Sequence, residues 1–281
     1  MQVTVVTVAF GNSEVVGNWS EKWASCGVDC LIANNGSHIS IEYGESVKVL
    51  PSIGNIGYGA AINRAVSEVQ TPIVLITNPD TLPYSTDSLK KLLNCHKEGV
   101  ITGANTISST GSITHSTGIW PDSSWVKSQI FKSAPSLWRK DRYDWLQGGL
   151  LMVHKKDFLQ VGGFDENYPL YFEDIDFCAN ALKAGVSMNY CDTACFIHDE
   201  GTGAERATVT RLSCFHWGLY QFFRKHSPTE CKTVKRLICL KCIVRIFQYS
   251  FLYPEKTRGY IASLKAILRN IAPPLPKALD E

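Results

Sequence analysis

The chain lacks any long apolar run, and this absence limits what it can be. No stretch of 18 uncharged apolar residues occurs among its 281 residues, so no membrane-spanning helix is expected. The opening residues Met1–Val8 have no basic segment before the apolar one and predict a buried strand, not a secretory signal. We therefore expect a cytoplasmic globular protein whose ten cysteines are reduced thiols.

Two familiar motifs are present only in part. Cys239 and Cys242 have the spacing of a zinc ligand pair, but no second well-placed pair accompanies them. The glycines at 54, 57 and 59 follow the third predicted strand with the wrong spacing for a dinucleotide-binding fingerprint. They instead predict a loop whose backbone approaches a nucleotide closely.

The net charge of +2 conceals a strong asymmetry along the chain. Residues 206–277 contain 14 Lys or Arg and two acids, whereas residues 1–205 carry a net charge of −8. A basic end on an acidic body predicts a polyanionic neighbour, such as an anionic membrane surface or a lipid diphosphate. No nucleic-acid-binding motif accompanies the basic residues, so we expect no nucleic-acid partner.

Strand and helix patterns alternate through the first hundred residues. Strands are predicted at Val3–Phe10, Asp29–Ala33, Val47–Leu50, Pro72–Thr77 and Gly99–Gly103, and helices at Ser13–Ser25, Gly57–Val69 and Ser85–His96. This alternation predicts an α/β fold with a mostly parallel sheet flanked by helices. Ligands of such sheets bind at the carboxyl ends of the strands, so Asn34 and Asp80 should face one crevice.

The second half of the chain is less regular. Residues 104–143 predict a loop or hairpin region over the site. Beyond them, strands are predicted at Leu146–Val153, Val186–Tyr190 and Ala194–Ile197, and helices at Lys155–Val161, Asp174–Ala184, 206–226, 230–252 and 258–271. We divide the chain into an α/β domain of residues 1–205 and a basic helical extension of residues 206–281.

Five side chains have the chemistry of a cation-assisted catalytic site. Asp80 follows an apolar strand in the motif Asn-Pro-Asp, where a carboxylate can hold a divalent cation against a diphosphate. Glu173, Asp174 and Asp176 open a helix, and acids are also favoured there by the helix dipole alone. His198 ends another apolar strand, and a neutral imidazole is a good ligand for Mn²⁺.

Seven segments in this order resemble the family 2 glycosyltransferases with the GT-A fold, over roughly residues 3–200. The resemblance is greatest to the rhamnosyltransferase-like branch that builds bacterial O-antigens and related surface polysaccharides. The segments are Asn34–Ser37, Asn55–Asn63, Asn78–Asp80, Trp145–Gly149, Gly162–Asp165, Glu173–Asp176 and His198.

The resemblance implies a role for each of these segments. Asp174 matches the acid that deprotonates the acceptor hydroxyl, and Glu173 and Asp176 would support it. Asp80 and His198 match the ligands of a divalent cation, Mn²⁺ or Mg²⁺. The nucleotide-sugar donor would be bound by Asn34, Asn55, Gly57, Asn63, Asn78 and Asp80, and the acceptor by Trp145, Gly148 and Gly149.

Three positions depart from the family pattern, and one of them is Asn180, where the helix after the acidic cluster often carries an Arg. Asn34 stands where an Asp usually reads the nucleobase, and an amide oxygen can still accept from a pyrimidine N3–H. Asn78 replaces the first acid of the metal-binding motif, as is frequent in the rhamnosyl branch.

The implied activity is an inverting, metal-dependent transfer of L-rhamnose from dTDP-rhamnose to a lipid-linked (polyprenyl diphosphate) glycan. The expected place is the inner face of the cytoplasmic membrane, as a peripheral protein. UDP-galactofuranose or UDP-glucose as donor, a nucleotidyltransferase and a silent glycan-binding module are the alternatives. A nucleotidyltransferase would need a triphosphate-binding loop near the first strand, and residues 8–12 are not basic.

The predicted helix over Leu237–Phe251 has two stripes. Apolar side chains form one stripe: Leu237, Leu240, Ile243, Val244, Phe247 and Phe251. Lys241, Arg245 and Gln248 form the other. Either the helix lies at a bilayer interface or contacts a polyprenyl diphosphate, or its apolar stripe packs on the α/β domain and its basic stripe is solvated.

Overall fold

A computed structural model describes residues 2–11, 13–36, 39, 44–114, 116–131, 137, 143–199 and 208–276. The predicted boundary between residues 205 and 206 lies outside these ranges, so the division into two domains stays a prediction.

A mixed nine-stranded sheet forms the centre of the described fold. The strands, in chain order, are β1 (Val3–Ala9), β2 (Asp29–Asn34), β3 (Val47–Leu50), β4 (Ile73–Thr77), β5 (Thr81–Pro83), β6 (Val100–Ile107), β7 (Ile113–Thr114), β8 (Thr117–Gly118), β9 (Trp145–Leu146), β10 (Leu150–His154) and β11 (Ser187–His198). They lie side by side as β3-β2-β1-β4-β10-β6-β11-β5, with β7 beside β6, while β8 and β9 pair separately.

The first four strands of this order are parallel, as the alternating pattern predicts. Strand β10 then runs antiparallel between β4 and β6, and β5 runs antiparallel along β11. As a result, the residues after β4, those just before β10 and the end of β11 meet at one edge. The predicted fold class, an α/β GT-A-like sheet with a helical C-terminal extension, is confirmed.

Helices cover both faces of the sheet. They are α1 (Ser13–Ala24), α2 (Tyr58–Glu68), α3 (Ser88–Cys95), α4 (Ser123–Ser128), α5 (Lys155–Val161), α6 (Glu173–Lys183), α7 (Thr208–His226), α8 (Pro228–Tyr249) and α9 (Pro254–Arg269), with a single 3-10 turn at Gln129–Phe131. Strand β1 is buried along its whole length because alternate residues enter two cores. Val6 and Val8 pack with α2 and α6 on one face, and Val3 and Val5 pack with α1 and α3 on the other.

The strand predicted over Leu146–Val153 is interrupted in the structure. Residues 147–149 form a turn between β9 and β10, and the backbone N–H of Asn78 donates to the Gly149 carbonyl there, at 3.2 Å. Two adjacent glycines weaken a strand and permit close approach of other groups. Conversely, the two strands predicted over 186–197 are one strand with an irregularity between Cys191 and Cys195.

The extension packs directly on the α/β domain through α7. The Trp217 indole N–H donates to the Asn167 carbonyl at 3.0 Å. Gly218 lies so close to Phe172 that an added Cβ would be 2.8 Å from its ring. Pro228, which lies between the helices predicted over 206–226 and 230–252, is the first residue of α8, where its missing N–H costs nothing.

Helix α8 is oriented with its basic stripe, and not its apolar stripe, toward the protein interior. Lys241 and Arg245 are only 8% and 3% exposed, whereas Phe247 and Phe251 are 75% and 95% exposed. The Arg245 guanidinium donates to the carbonyls of Gln129 and Ile130, at 3.1 and 3.2 Å. These carbonyls follow α4 and draw the basic stripe inward, so the prediction of a solvated basic stripe is wrong.

The expectation that every cysteine is a free thiol is wrong for one pair. Cys95 at the end of α3 and Cys191 in β11 are joined by a disulfide bond. Within the described ranges, none of the helices combines the length and the apolar character needed to cross a bilayer.

Candidate active site

Asp80 and His198 meet at the edge of the sheet although 118 residues separate them in the chain. Asp80 lies in the turn after β4, and His198 is the last residue of β11, opposite Thr81 of β5. The Asp80 carboxylate Oδ1 is 3.5 Å from the His198 Nε2, and the Asn78 Nδ2 is 3.3 Å from the same nitrogen. His198 is only 3% exposed, so the sheet fixes its imidazole in place.

The Gly148-Gly149 turn connects this pair to Asp174. A Cβ added to Gly149 would lie 2.9 Å from the Asn78 Nδ2 and 3.2 Å from the His198 Cε1. A Cβ added to Gly148 would lie 3.0 Å from the Asp174 Cβ. Two successive glycines therefore lie against His198 and Asn78 on one side and Asp174 on the other, and a larger residue at either position would displace these side chains.

Asp174 lies in the first turn of α6 and is oriented by the backbone. The Gly148 N–H donates to its Oδ2 and the Ile175 N–H to its Oδ1, both at 2.8 Å. Tyr171 and Phe172, just before the helix, have φ angles of 66° and 74°. Left-handed conformations at non-glycine residues are costly and cluster at functional sites. Here they set the direction in which α6 begins.

Glu173 and Asp174 form an adjacent acidic pair in the first turn of α6. Burial, together with the charge of Asp174, raises the pKa of Glu173 well above its usual range. Burial also raises the pKa of Asp174, and the hydrogen bonds from Gly148 and Ile175 act in the opposite direction. The two environments differ, because within the described residues the Glu173 Oε2 accepts no hydrogen bond. Such a difference separates the protonated member of a pair from the ionised member.

Tyr58 belongs to the same site and was not predicted. Its hydroxyl donates to the Gly148 carbonyl at 3.2 Å. Burial raises the pKa of Tyr58, and the charges of Glu173, Asp174 and Asp80 raise it further. Carboxylates from two segments that are distant in sequence thus raise the pKa of the same phenol. Its position inside the Asn55–Asn63 motif is the sequence feature that could have indicated a role in the site. An aromatic residue at the start of a helix, however, usually indicates core packing.

Asn35, which the sequence does not single out, lies beside the predicted nucleotide-binding residues. Asn34 ends β2, and its Oδ1 accepts from the Gly36 N–H at 3.2 Å. Asn35 is buried; its Nδ2 donates to the Asn55 Oδ1 at 3.0 Å, and its Oδ1 accepts from the Ile56 N–H at 2.9 Å. Asn55 and Gly57 are therefore held beside the end of β2.

Three predicted site residues lie elsewhere. Asn63 clamps the turn before α6, accepting from the Phe164 N–H and donating to the Phe164 carbonyl, both at 2.8 Å. Trp145 is buried, and its indole N–H donates to the Ile119 carbonyl at 2.9 Å. None of these hydrogen bonds reaches the Asp80–His198 pair or Asp174, and a binding role for Asn63 and Trp145 stays a prediction.

Asp176 also points away from Asp174, because two residues along an α-helix turn the side chain by about 200°. It is fully buried and accepts hydrogen bonds from Tyr168, Asn180, Lys225 and His226. This network joins α6 to α7, so in the structure Asp176 holds the extension and does not face the cleft.

The Asp80–His198 pair is suited to a divalent cation. A carboxylate oxygen and an imidazole nitrogen that each bind one ion at about 2.1 Å lie roughly 3–3.5 Å apart. The observed separation is 3.5 Å, and the Nδ1 of His198 is buried without a hydrogen-bond partner in the described part of the chain. The same part contains no cluster of three or more His, Cys, Asp or Glu ligands. A diphosphate would therefore have to supply further ligands, as is usual for Mg²⁺.

Comparison with known proteins points to one class of enzyme. A family model described as the N-terminal domain of galactosyltransferase matches residues 128–199. A curated relative, N-acetylglucosaminyl-diphospho-decaprenol L-rhamnosyltransferase of Mycobacterium tuberculosis, is 26% identical over 242 residues, covering 71% of this chain and 76% of that protein. Rhamnosyltransferase WbbL of Escherichia coli is 42% identical over 55 residues, covering 20% and 21% of the two chains.

Solved structures agree on the fold. Mannosyltransferase PcManGT of Pyrobaculum calidifontis, in complex with GDP-Man and Mn²⁺, has a TM-score of 0.52 at 10% identity and covers 96% of this chain and 87% of its own. GalNAc-T7 with UDP, GalNAc and Mn²⁺ has a TM-score of 0.56 at 11% identity, covering 96% and 56%.

The chain has the GT-A fold, and both the matching family model and the curated relatives are glycosyltransferases. Among curated proteins it is similar to rhamnosyltransferases, which confirms the resemblance read from its motifs.

Proposed function

We propose that this glycosyltransferase moves L-rhamnose from dTDP-rhamnose to a lipid-linked glycan in bacterial surface polysaccharide synthesis. The names of two relatives support the sugar, and the name of one, a transferase acting on a diphospho-decaprenol substrate, supports the acceptor class. The observation that carries the proposal is the convergence of Asp174, Asp80 and His198 around the Gly148-Gly149 turn.

Asp174 is the general base in this proposal. It takes the proton of the acceptor hydroxyl as that oxygen attacks the anomeric carbon in line with the departing nucleoside diphosphate. Burial and the charge of Asp174 raise the pKa of Glu173, whereas hydrogen bonds from Gly148 and Ile175 favour the ionised form of Asp174, so we assign the charge of the pair to Asp174. A single displacement inverts the anomeric centre and requires no protein nucleophile.

Asp80 and His198 would hold the divalent cation, Mn²⁺ or Mg²⁺. When bound, it neutralises the negative charge that develops on the leaving diphosphate. EDTA is expected to abolish transfer, and added Mn²⁺ or Mg²⁺ to restore it. Full activity in EDTA would contradict a cation role for this pair.

The base assignment is tested with Asp174→Asn. We expect turnover to fall about 10²–10⁴-fold, because proton transfer is lost, while donor binding measured by thermal shift is unchanged. Asp192→Asn, on an exposed part of β11, is the matched control and should keep full activity. Retained turnover in Asp174→Asn would refute the assignment.

A panel of nucleotide sugars tests the donor. Product formation should be greatest with dTDP-rhamnose and with inverted anomeric configuration by NMR. A preference for UDP-galactofuranose or UDP-glucose would keep the glycosyltransferase and reject the rhamnose donor.

We also propose that the enzyme works on the inner face of the cytoplasmic membrane, bound through an outer stripe of α8. This outer stripe consists of Leu240, Ile243 and Phe247 on α8 and Phe251 just beyond its end, all exposed. Lys232 and Arg236 continue the same helical face and are exposed too. Apolar side chains at the end of a helix and cations farther along its face suit an anionic bilayer.

The next turns of the chain extend this surface. Leu252 is 76% exposed, and the Lys256 Nζ lies 4.8 Å from the centre of the Tyr253 ring. Aromatic rings beside a cation are typical of side chains at the headgroup level.

Sedimentation with vesicles measures this binding. Phe247→Ser with Phe251→Ser should lower the bound fraction on anionic vesicles at least several-fold, because most of the inserted apolar area is lost. Ile113→Ser with Leu159→Ser, two exposed apolar residues elsewhere, is the matched control. Equal binding of the two double variants would exclude the outer stripe as the membrane contact.

A further inference from the structure

The segment that follows α9 returns to the predicted nucleotide-binding loop. Asn270, with a left-handed φ of 55°, follows the last residue of α9, and the Ile271 N–H donates to the Ala266 carbonyl at 3.1 Å. Residues 271–276, here called the strap, then reach Asn55. The Asn55 Nδ2 donates to the Pro276 carbonyl at 2.9 Å, across 221 residues of sequence.

The strap also contacts the loop through an apolar side chain. A Cβ added to Gly57 would lie 3.4 Å from the Leu275 Cδ1 and 2.9 Å from the Pro169 carbonyl oxygen. Gly57 has a φ of 93°, so both its conformation and its surroundings require glycine. Pro273 of the strap is buried. Two contacts therefore join the strap to this loop, that of Pro276 with Asn55 and that of Leu275 with Gly57, and neither involves the catalytic acids.

The hydrogen bond from Asn55 fixes the orientation of its amide. The Asn55 Oδ1 accepts from the Asn35 Nδ2 at 3.0 Å and from the Gly57 N–H at 3.1 Å. Reversing the amide would place its NH₂ against these two donors and its oxygen against the Pro276 carbonyl. The strap therefore stabilises the orientation of Asn55 in which its oxygen also accepts from Asn35 and Gly57.

Asn35 follows directly after Asn34, the residue predicted to read the nucleobase. Its backbone N–H donates to the Ala9 carbonyl at 2.8 Å, and its side chain spans to Ile56 and Gly57. The end of β2 and the loop before α2 are thereby held together. Any nucleotide bound between them depends on this spacing.

The composition of the strap lowers the cost of keeping it docked. Prolines occupy positions 273, 274 and 276, so half of its residues have a fixed φ and no N–H group to satisfy. A chain already restricted to extended conformations loses less entropy on docking than a flexible one.

We propose that the strap is a positioning element for the nucleoside diphosphate of the donor, acting through Asn55 and Asn35. The proposal rests on the function proposed above, because it takes the donor to be a nucleotide sugar. It adds a determinant of donor affinity from the opposite end of the chain, separate from the acids that perform the chemistry.

Two variants of the full chain remove the strap contacts one at a time. Asn55→Asp keeps the oxygen that accepts from Asn35 and Gly57 but loses the donor to Pro276, and Leu275→Ser removes the contact with Gly57. Ile271→Ser, at a residue of the strap that is 63% exposed, is the matched control. Calorimetry would measure the affinity of each protein for dTDP, for UDP and for inorganic pyrophosphate with Mn²⁺.

We expect both strap variants to bind the preferred nucleoside diphosphate about tenfold more weakly, with pyrophosphate affinity unchanged. Donor KM should rise similarly, with kcat within twofold of the unaltered enzyme. Unchanged nucleotide affinity in both variants would overturn the strap proposal and leave the proposed function intact. Equal losses for nucleotide and pyrophosphate would overturn it as well, because they would indicate general disruption of the site. Failure of the unaltered enzyme to bind any nucleoside diphosphate would instead refute the proposed function, and the strap proposal with it.

Discussion

Adding one methyl group at Gly149 should disturb the Asp80–His198 pair without unfolding the protein. The new Cβ of Gly149→Ala would lie 2.9 Å from the Asn78 Nδ2 and 3.2 Å from the His198 Cε1. His198 is 3% exposed and paired with β5 and β6 through its strand, so it has little room to move. Asn78 is half-buried and should shift, losing its 3.3 Å contact with the His198 Nε2.

The expected size of the effect follows from this overlap. Overpacking of this kind costs about 1–3 kcal/mol, equivalent to a fall in melting temperature of roughly 2–12 °C for a chain of this size. Displacement of the groups that face the diphosphate should lower kcat/KM by about 10–100-fold. Initial rates with the preferred nucleotide sugar, and a thermal melt of the same samples, would measure both effects.

Gly44→Ala is the matched control for Gly149→Ala. Gly44 has no neighbouring atom within 4 Å of its added Cβ and does not have a left-handed conformation, so activity and stability should stay near their original values. Activity of Gly149→Ala within twofold of the unaltered enzyme would refute the claim that this glycine is required by the cation pair.

Two further predictions concern groups that the structure buries. Tyr58→Phe removes the 3.2 Å hydrogen bond to the Gly148 carbonyl and should lower kcat about 3–10-fold in initial-rate assays. Tyr84→Phe, at an exposed tyrosine, is the control and should leave kcat unchanged. Equal rates for the two variants would exclude Tyr58 from the site. Burial lowers the pKa of Lys241 to about 8 from 10.5, so unfolding takes up a proton between those values and stability rises with pH across that window. Lys241→Met should therefore raise the free energy of unfolding at pH 7, by at most about 3 kcal/mol, and gain less at pH 10 in urea titrations. A loss of stability at pH 7 would show that the Lys241 contacts outweigh the cost of burying its charge.

Local patterns were sufficient for much of the α/β domain. The bounds of β3 and α5 are as predicted, and Gly185 follows α6 with a φ of 80°, as a glycine beyond a helix end should. The meeting of Asp80 with His198 follows from the rule that parallel strands present their carboxyl ends at one edge.

Other features depend on contacts that no local pattern records. The sequence shows both stripes of α8, but their orientation depends on the Gln129 and Ile130 carbonyls, which lie more than a hundred residues away. Asp174 and Asp176 are equally acidic, and only the starting direction of α6 decides which one faces the cleft. Asn35 was overlooked because its neighbour Asn34 matched the motif, although Asn35 is the one that forms the buried network.

The tight contact at Gly218 has a practical consequence for anyone who trims or recombines this enzyme. Its added Cβ would fall 2.8 Å from both the Phe172 ring and the Tyr171 carbonyl, the two residues whose left-handed backbone orients Asp174, the proposed base. Helix α7 thus acts as a buttress for the reaction centre, and a shortened enzyme ending before it should lose that aim. Chimeras that exchange sugar-recognition segments should therefore take α6 and α7 together from the same parent protein.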